Sequence, residues 1–204
     1  PYGVVLIMSP WNYPFQLTMV PLIGAIAAGN CAVVKPSAYS PAVSALVKKI
    51  LSEIFSESYV CVVLGGREEN RELLEMKYDY IFFTGSKAVG KQVMKSAAKS
   101  LTPLTLELGG KSPCIVDETA DIPMAARRIV WGKFLNCGQT CVAPDYVLVH
   151  QKVKERFLKA VVRNIEALYG ESPLESRDYG KIINEKHYDR LSAMLEGETP
   201  YYSC

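Results

Sequence analysis

The chain has 204 residues, 49% of them hydrophobic, which supplies apolar material for one large or two small packed cores and excludes a disordered chain. Its formal charge of +2 comes from interspersed Lys, Arg, Asp and Glu with no basic block. Composition therefore argues against nucleic acid or a membrane surface as partner and favours small-molecule chemistry.

From the N-terminus, apolar β-rich runs at 4–8, 32–34, 60–64 and 80–84 alternate with helical patterns at 40–55, 67–76 and 87–100. The longest apolar stretch, 17–28, is interrupted by Thr18, Pro21 and Gly24. It falls short of the ~20 residues that a membrane-spanning helix requires and reads as a buried helix. This alternation predicts an α/β fold with a doubly wound parallel sheet, and the continuous apolar run 60–63 suits a strand covered on both faces. A further strand at 104–108 completes a first domain, 1–108. A second, 109–204, follows with a strand at 112–116, a helix at 122–134, a strand at 146–150, helices at 152–169 and 186–195, and an irregular end at 197–204. Pro1-Tyr-Gly-Val-Val opens without an initiator Met and runs straight into a strand, as a piece of a longer protein would. The six cysteines are irregularly spaced, and Cys31, Cys61 and Cys114 fall in strand-like segments. That usage fits a reducing, cytoplasmic setting better than a disulfide framework.

In open α/β sheets, ligands bind at the carboxyl ends of the strands. Three predicted strand ends carry polar residues: Ser9-Pro-Trp-Asn12, Lys35-Pro-Ser37 and Thr84-Gly-Ser86. All three are expected on one crevice. Lys35 reads either as a ribose or phosphate contact or as a solvated strand-end lysine. Asn12 reads either as an oxyanion-steadying amide or as the helix or turn cap that Asn commonly makes. Gly85-Ser-Lys-Ala-Val-Gly90 follows a strand and opens a helix, so its N–H groups could hold a phosphate, but it lacks the three-glycine dinucleotide spacing.

Cys141, in Asn136-Cys-Gly-Gln-Thr-Cys141, lies in a predicted irregular loop ahead of Pro144, a setting that favours a reactive thiol over a buried one. A thiol acts as thiolate, and its reference pKa of ~8.5 must be lowered by a base, a cation or a helix N-terminus. The two histidines, His150 and His187, are remote in sequence, which leaves a cysteine hydrolase as the weaker chemistry. Cys137 and Cys141 with those histidines lack paired metal-ligand spacings, so no metal is expected and Cys137 reads as structural. Glu107, between Leu106 and Leu108, is either an outward-facing strand residue or a buried acid whose raised pKa suits it to take a proton from water. Gly109-Gly110 beside it suggests close approach of backbone to a ligand.

Five segments in order, PWNYPF (10–15), AAGNCAVVKPS (27–37), FFTGS (82–86), LELGGKSP (106–113) and FLNCGQTCVAPDYV (134–147), resemble the aldehyde dehydrogenase superfamily, with wording similar to its class 3 branch. The resemblance implies a Rossmann-like cofactor-binding domain followed by the first part of an α/β catalytic domain, truncated at both ends. It implies NAD(P)-dependent oxidation of an aldehyde to a carboxylic acid. Cys141 would be the nucleophile, Asn12 an oxyanion donor and Glu107 the base that activates water. Lys35, Ser37, Gly85, Ser86, Gly90 and Leu108 would contact NAD or NADP.

The resemblance further implies a medium or long aliphatic or aromatic aldehyde as substrate and a homodimer in the full-length form. Two departures stand out. Ala38 occupies a position where many members have a ribose-binding glutamate, which predicts readier acceptance of NADP. The family's E-x-F-G-P stretch and later strands lie outside these 204 residues. The competing expectation is therefore a catalytically incompetent fragment that acts only as a binding or assembly module.

Overall fold

The computed structural model describes residues 1–202; the last two positions of the irregular end foreseen at 197–204 lie outside them. Two compact units divide the chain, Pro1–Gly109 and Gly110–Cys204.

Unit 1 contains five parallel strands, β1 (Val4–Met8), β2 (Cys31–Lys35), β3 (Val60–Val62), β4 (Tyr80–Thr84) and β5 (Leu104–Glu107), in the order β3-β2-β1-β4-β5. The connections are α1 (Gln16–Ala27), α2 (Pro41–Ile54), α3 (Arg67–Glu75) and α4 (Lys87–Ala98). The sheet is doubly wound: the chain moves outward from β1 to β3, then returns to β1's other side at β4. Period-two alternation explains the two cores. Val5 and Ile7 join Val34, Val62 and Leu22, Val47 and Leu51 of α1 and α2 on one face. Leu6 and Met8 join Ile81, Phe83 and Leu73, Val93 and Ala97 of α3 and α4 on the other.

The expected buried helix at 17–28 exists as α1, but it is buried only at Thr18 and Leu22, while Val20 and Ile23 are 59% and 61% exposed. Its residues are apolar on nearly every side, so one sheet face cannot cover them all. Pro21 interrupts its hydrogen-bond ladder. Beside α1 an apolar cavity of about 550 Å³ is lined by Tyr2, Pro21, Gly24, Tyr80 and Phe82. Among the described residues no helix is long and apolar enough to cross a membrane.

Unit 2 pairs β6 (Ser112–Val116) with β7 (Pro144–Val149) in parallel, and α5 (Ile122–Phe134) and α6 (Lys154–Tyr169) cover one face. Val116, Ile122, Ala126, Val153 and Phe157 form its core. Ile115 and Leu148, paired across the strands on the other face, are exposed. A short α7 (Glu185–Ser192) follows.

Candidate functional site

Register brings the strand ends of unit 1 level. Met8 pairs with Lys35 on one side and Phe83 on the other, and Thr84 pairs with Glu107. Lys35 and Glu107, the last residues of β2 and β5, and the loops that carry Asn12 and Gly85 therefore lie at one edge of the sheet. At its start, Ser9 and Thr18 are both buried and share a 2.5 Å hydroxyl hydrogen bond. Thr18 in turn donates to the Pro14 carbonyl at 2.6 Å, which fixes the loop that presents Asn12. Asn12 is half-buried in a bend and is not the cap of α1; that position is Phe15, with no side-chain cap.

Lys35 is not a solvated strand-end lysine. It is 2% exposed, and its ammonium donates to the Pro36 carbonyl at 3.0 Å and the Gly65 carbonyl at 2.7 Å. Burial pushes its pKa below the ordinary value, and the nearby Glu69 charge opposes that shift. The Lys35 bond ties the end of β2 to the turn after β3. Gly65 has φ +130°, and a Cβ there would stand 2.3 Å from the Glu69 carboxyl carbon. Glu69 accepts from the Gly66 N–H at 2.5 Å and thereby closes the first turn of α3; its pKa is lowered chiefly by those backbone hydrogen bonds. Ser37 is spent locally, its hydroxyl accepting from Tyr39 N–H at 3.2 Å and its carbonyl from the Ser44 hydroxyl at 2.8 Å.

The Gly85 N–H donates to the Glu107 carbonyl at 2.9 Å, and Ser86 caps α4 by accepting from Val89 N–H at 3.3 Å. The glycines here serve internal packing. A Cβ on Gly85 would lie 2.6 Å from the Phe83 ring, and one on Gly90 2.9 Å from a Leu108 methyl. Leu108 thus acts as the partner that α4 closes upon. Glu107 stands exposed at the end of edge strand β5. The buried-acid reading is corrected: at a sheet edge, no element of unit 1 covers its carboxylate.

Cys141 belongs to unit 2, where it is exposed in a turn between α5 and β7. The approach is strained. Asn136 and Cys137 have φ of 53° and 55°, and Gly138 follows at 72°. A left-handed non-glycine residue costs roughly 1–2 kcal/mol, so other contacts must hold the loop. Gln139 supplies them. Its amide donates to the Asn136 and Lys181 carbonyls at 3.0 and 3.1 Å, and its oxygen accepts from Ile183 N–H at 2.9 Å. The Cys141 carbonyl oxygen would lie 2.3 Å from a Cβ on Gly110. The close approach foreseen at Gly109-Gly110 is thus, at Gly110, one of backbone to the Cys141 backbone; Gly109 has open space. His150 caps the short turn after β7, its Nδ1 accepting from Lys152 N–H at 3.3 Å.

Sequence reasoning missed Gln139 and the turn Gly65-Gly66-Arg67. The third strand end carried the same glycine-to-helix signal as the fourth. Beyond it, α3 and α4 flank a groove of about 500 Å³.

Residues 1–199 match the model of the aldehyde dehydrogenase family. The chain belongs to the aldehyde dehydrogenase family. It is 53% identical over 195 residues to 4,4'-diaponeurosporen-aldehyde dehydrogenase of Staphylococcus aureus, covering 96% of this chain and 42% of that protein. It is likewise 53% identical to aldehyde dehydrogenase family 3 member B1 of Mus musculus over the same shares of each chain. Among solved structures, the substrate-bound state of Staphylococcus aureus AldH superposes with a TM-score of 0.92 at 52% identity, covering 96% of this chain and 43% of that one. The Mycobacterium tuberculosis aldehyde dehydrogenase complexed with NAD+ gives 0.87 at 33% identity, with 96% and 41% covered. The chain thus spans about 42% of the length of these curated aldehyde dehydrogenases.

Proposed function

We propose that this chain carries the machinery of an NAD(P)-dependent aldehyde dehydrogenase, with unit 1 as the coenzyme-binding part and unit 2 as part of the catalytic domain. The observation that carries the reading is an exposed Cys141 held in a strained, Gln139-strapped loop of a family member.

Unit 1 fits a dinucleotide. Its strand ends lie at one edge of a doubly wound sheet, Lys35 is buried with its ammonium fixed there, and Ser86 opens α4 with N–H groups suited to a phosphate. Lys35 and the start of α4 at Ser86 would hold the coenzyme; Gly85, Gly90 and Leu108 would act by packing that helix against the sheet, and Ser37 by fixing the turn after β2. When bound, the coenzyme supplies the acceptor for the hydride that the substrate carbon gives up.

This chain's residues do the rest. The Cys141 thiolate bonds to the aldehyde carbon, forming a tetrahedral thiohemiacetal whose oxyanion the Asn12 amide and the Cys141 N–H stabilise. Loss of hydride leaves a thioester on Cys141. Glu107 takes a proton from water, the water oxygen bonds to the acyl carbon, and the C–S bond breaks to release the carboxylic acid and the thiolate. Exposure of Glu107 suits it to reach solvent water. A medium or long aliphatic or aromatic aldehyde, a homodimer of the full-length form and a cytoplasmic setting belong to the same reading; the first two rest on the family resemblance, the last on cysteine usage.

The test is absorbance of reduced coenzyme with a panel of aldehydes and both NAD and NADP, comparing the chain with Cys141→Ala. Cys141-dependent reduction is expected. Silence from a folded sample would favour the non-catalytic reading; hydride transfer separates the dehydrogenase from a cysteine hydrolase, whereas ester hydrolysis does not, because water also clears an acyl-enzyme that an ester forms at Cys141.

A further inference from the structure

Two hydroxyl groups are enclosed in unit 1 beside the loop that carries Asn12. Thr18, in the first turn of α1, is 0% exposed, and Ser9, directly after β1, is 8% exposed. The rest of α1 is apolar apart from Gln16. A hydroxyl removed from water in such a setting is tolerated only where it is hydrogen-bonded.

The bonds form a relay. The Thr18 hydroxyl donates to the Pro14 carbonyl at 2.6 Å, which commits its proton and makes the Ser9 hydroxyl, 2.5 Å away, the donor in that pair. The Ser9 N–H in turn donates to the Lys35 carbonyl at 3.1 Å. In α-helical register the Pro14 carbonyl would take the Thr18 N–H, but that N–H goes to the Phe15 carbonyl at 3.2 Å, so the hydroxyl takes its place. The relay thus runs from the end of β2, past the end of β1, to the far side of the loop 10–14. Pro10 and Pro14 bring no N–H to that loop, and a side-chain tether supplies part of the bonding that prolines forgo.

We propose that Thr18 is a positioning residue for the dehydrogenase chemistry: its buried hydroxyl fixes the loop 10–14 against the sheet and so holds the Asn12 amide in place as an oxyanion donor. The inference rests on the function proposed above and deepens it by adding a residue that, being fully buried, acts through Asn12. A donor works within roughly 2.7–3.1 Å of the oxyanion, so a loop displaced by about 1 Å forfeits that bond.

Hydrogen exchange followed by mass spectrometry and steady-state aldehyde oxidation test this on the chain, Thr18→Ser, Thr18→Val, Asn12→Ala, and the paired variant Ser9→Ala with Thr18→Val. The paired variant removes both hydroxyls together, which leaves neither stranded and retains the fold. Amide exchange across 11–15 is expected to rise about tenfold in both valine variants, with β1 and β2 unchanged, and to return toward the parent value in Thr18→Ser. In turnover, kcat is expected to fall about tenfold in Thr18→Val with KM nearly unchanged, and Thr18→Val added to Asn12→Ala is expected to lower kcat no further. Unchanged exchange in both valine variants overturns the hold on the loop. A full additional loss on top of Asn12→Ala overturns the route through that amide. A folded parent chain that reduces no coenzyme overturns the dehydrogenase reading and with it the catalytic role, while exchange still decides the tether.

Discussion

The backbone carbonyl of Cys141 occupies the space next to Gly110 in which a side chain would begin, 2.3 Å from the ideal Cβ position. Gly110 therefore sets the position of the proposed nucleophile by having no side chain. The Gly110 backbone does not require the left-handed region, so space alone specifies glycine. Gly109 next to it faces no such neighbour.

Gly110→Ala is expected to displace the Cys141 turn and to lower stability by roughly 1–3 kcal/mol, as overpacking commonly does. Gly109→Ala is expected to stay within about 0.5 kcal/mol of the parent chain. Urea midpoints of the two variants check the contrast, and equal effects would remove the steric argument.

Gln139 holds the strained 136–138 stretch against residues 181–183 through hydrogen bonds at 3.1 and 2.9 Å. Gln139→Ala leaves the Ile183 N–H and the Lys181 carbonyl without that partner, at a cost of roughly 1–3 kcal/mol. The rate of Cys141 alkylation by iodoacetamide, followed on its peptide by mass spectrometry, is expected to change severalfold. Coenzyme affinity, proposed above for unit 1, is expected to hold. An unchanged alkylation rate would show that Gln139 does not position the thiol.

Lys35 gives a pH signature. Burial lowers its folded-state pKa below the ordinary 10.5, so between the two values the unfolded chain binds more protons than the folded one. Stability from this group therefore rises with pH across that window, the ammonium being least welcome when charged in the folded state. The difference in urea midpoint between the chain and Lys35→Met is expected to grow in favour of the parent as pH increases from 7 toward 10.5. A difference that is flat or shrinks contradicts a lowered pKa.

Ser86→Ala removes the side-chain acceptor at the start of α4. A stability loss of about 1 kcal/mol is expected, with a larger relative loss of coenzyme affinity if the same helix terminus binds a phosphate. Calorimetric titration beside the urea midpoint separates the two, and a cap effect without an affinity effect would confine Ser86 to folding.

The sequence by itself determined the alternation of strands and helices, the doubly wound parallel sheet and the family, because period-two and helical patterns and five ordered motifs are local properties of the chain. It also foretold the irregular loop at Cys141 from Gly138 and Pro144. Only the tertiary structure decided what surrounds each of these residues. Lys35 stands two residues before Ser37, yet one is buried with its ammonium bonded to the Gly65 carbonyl and the other is tied into its own turn, since the Gly65 carbonyl arrives from the next strand's connection. Glu107 sits between two leucines, which suggested burial, but β5 is the sheet's edge and leaves the carboxylate in water. The apolar helix α1 looked like core and is half exposed, because burial depends on what packs against an element as well as on its composition. The Gly110–Cys141 contact and the Gln139 strap join residues far apart in sequence, and no local pattern encodes the distance at which folding brings them together.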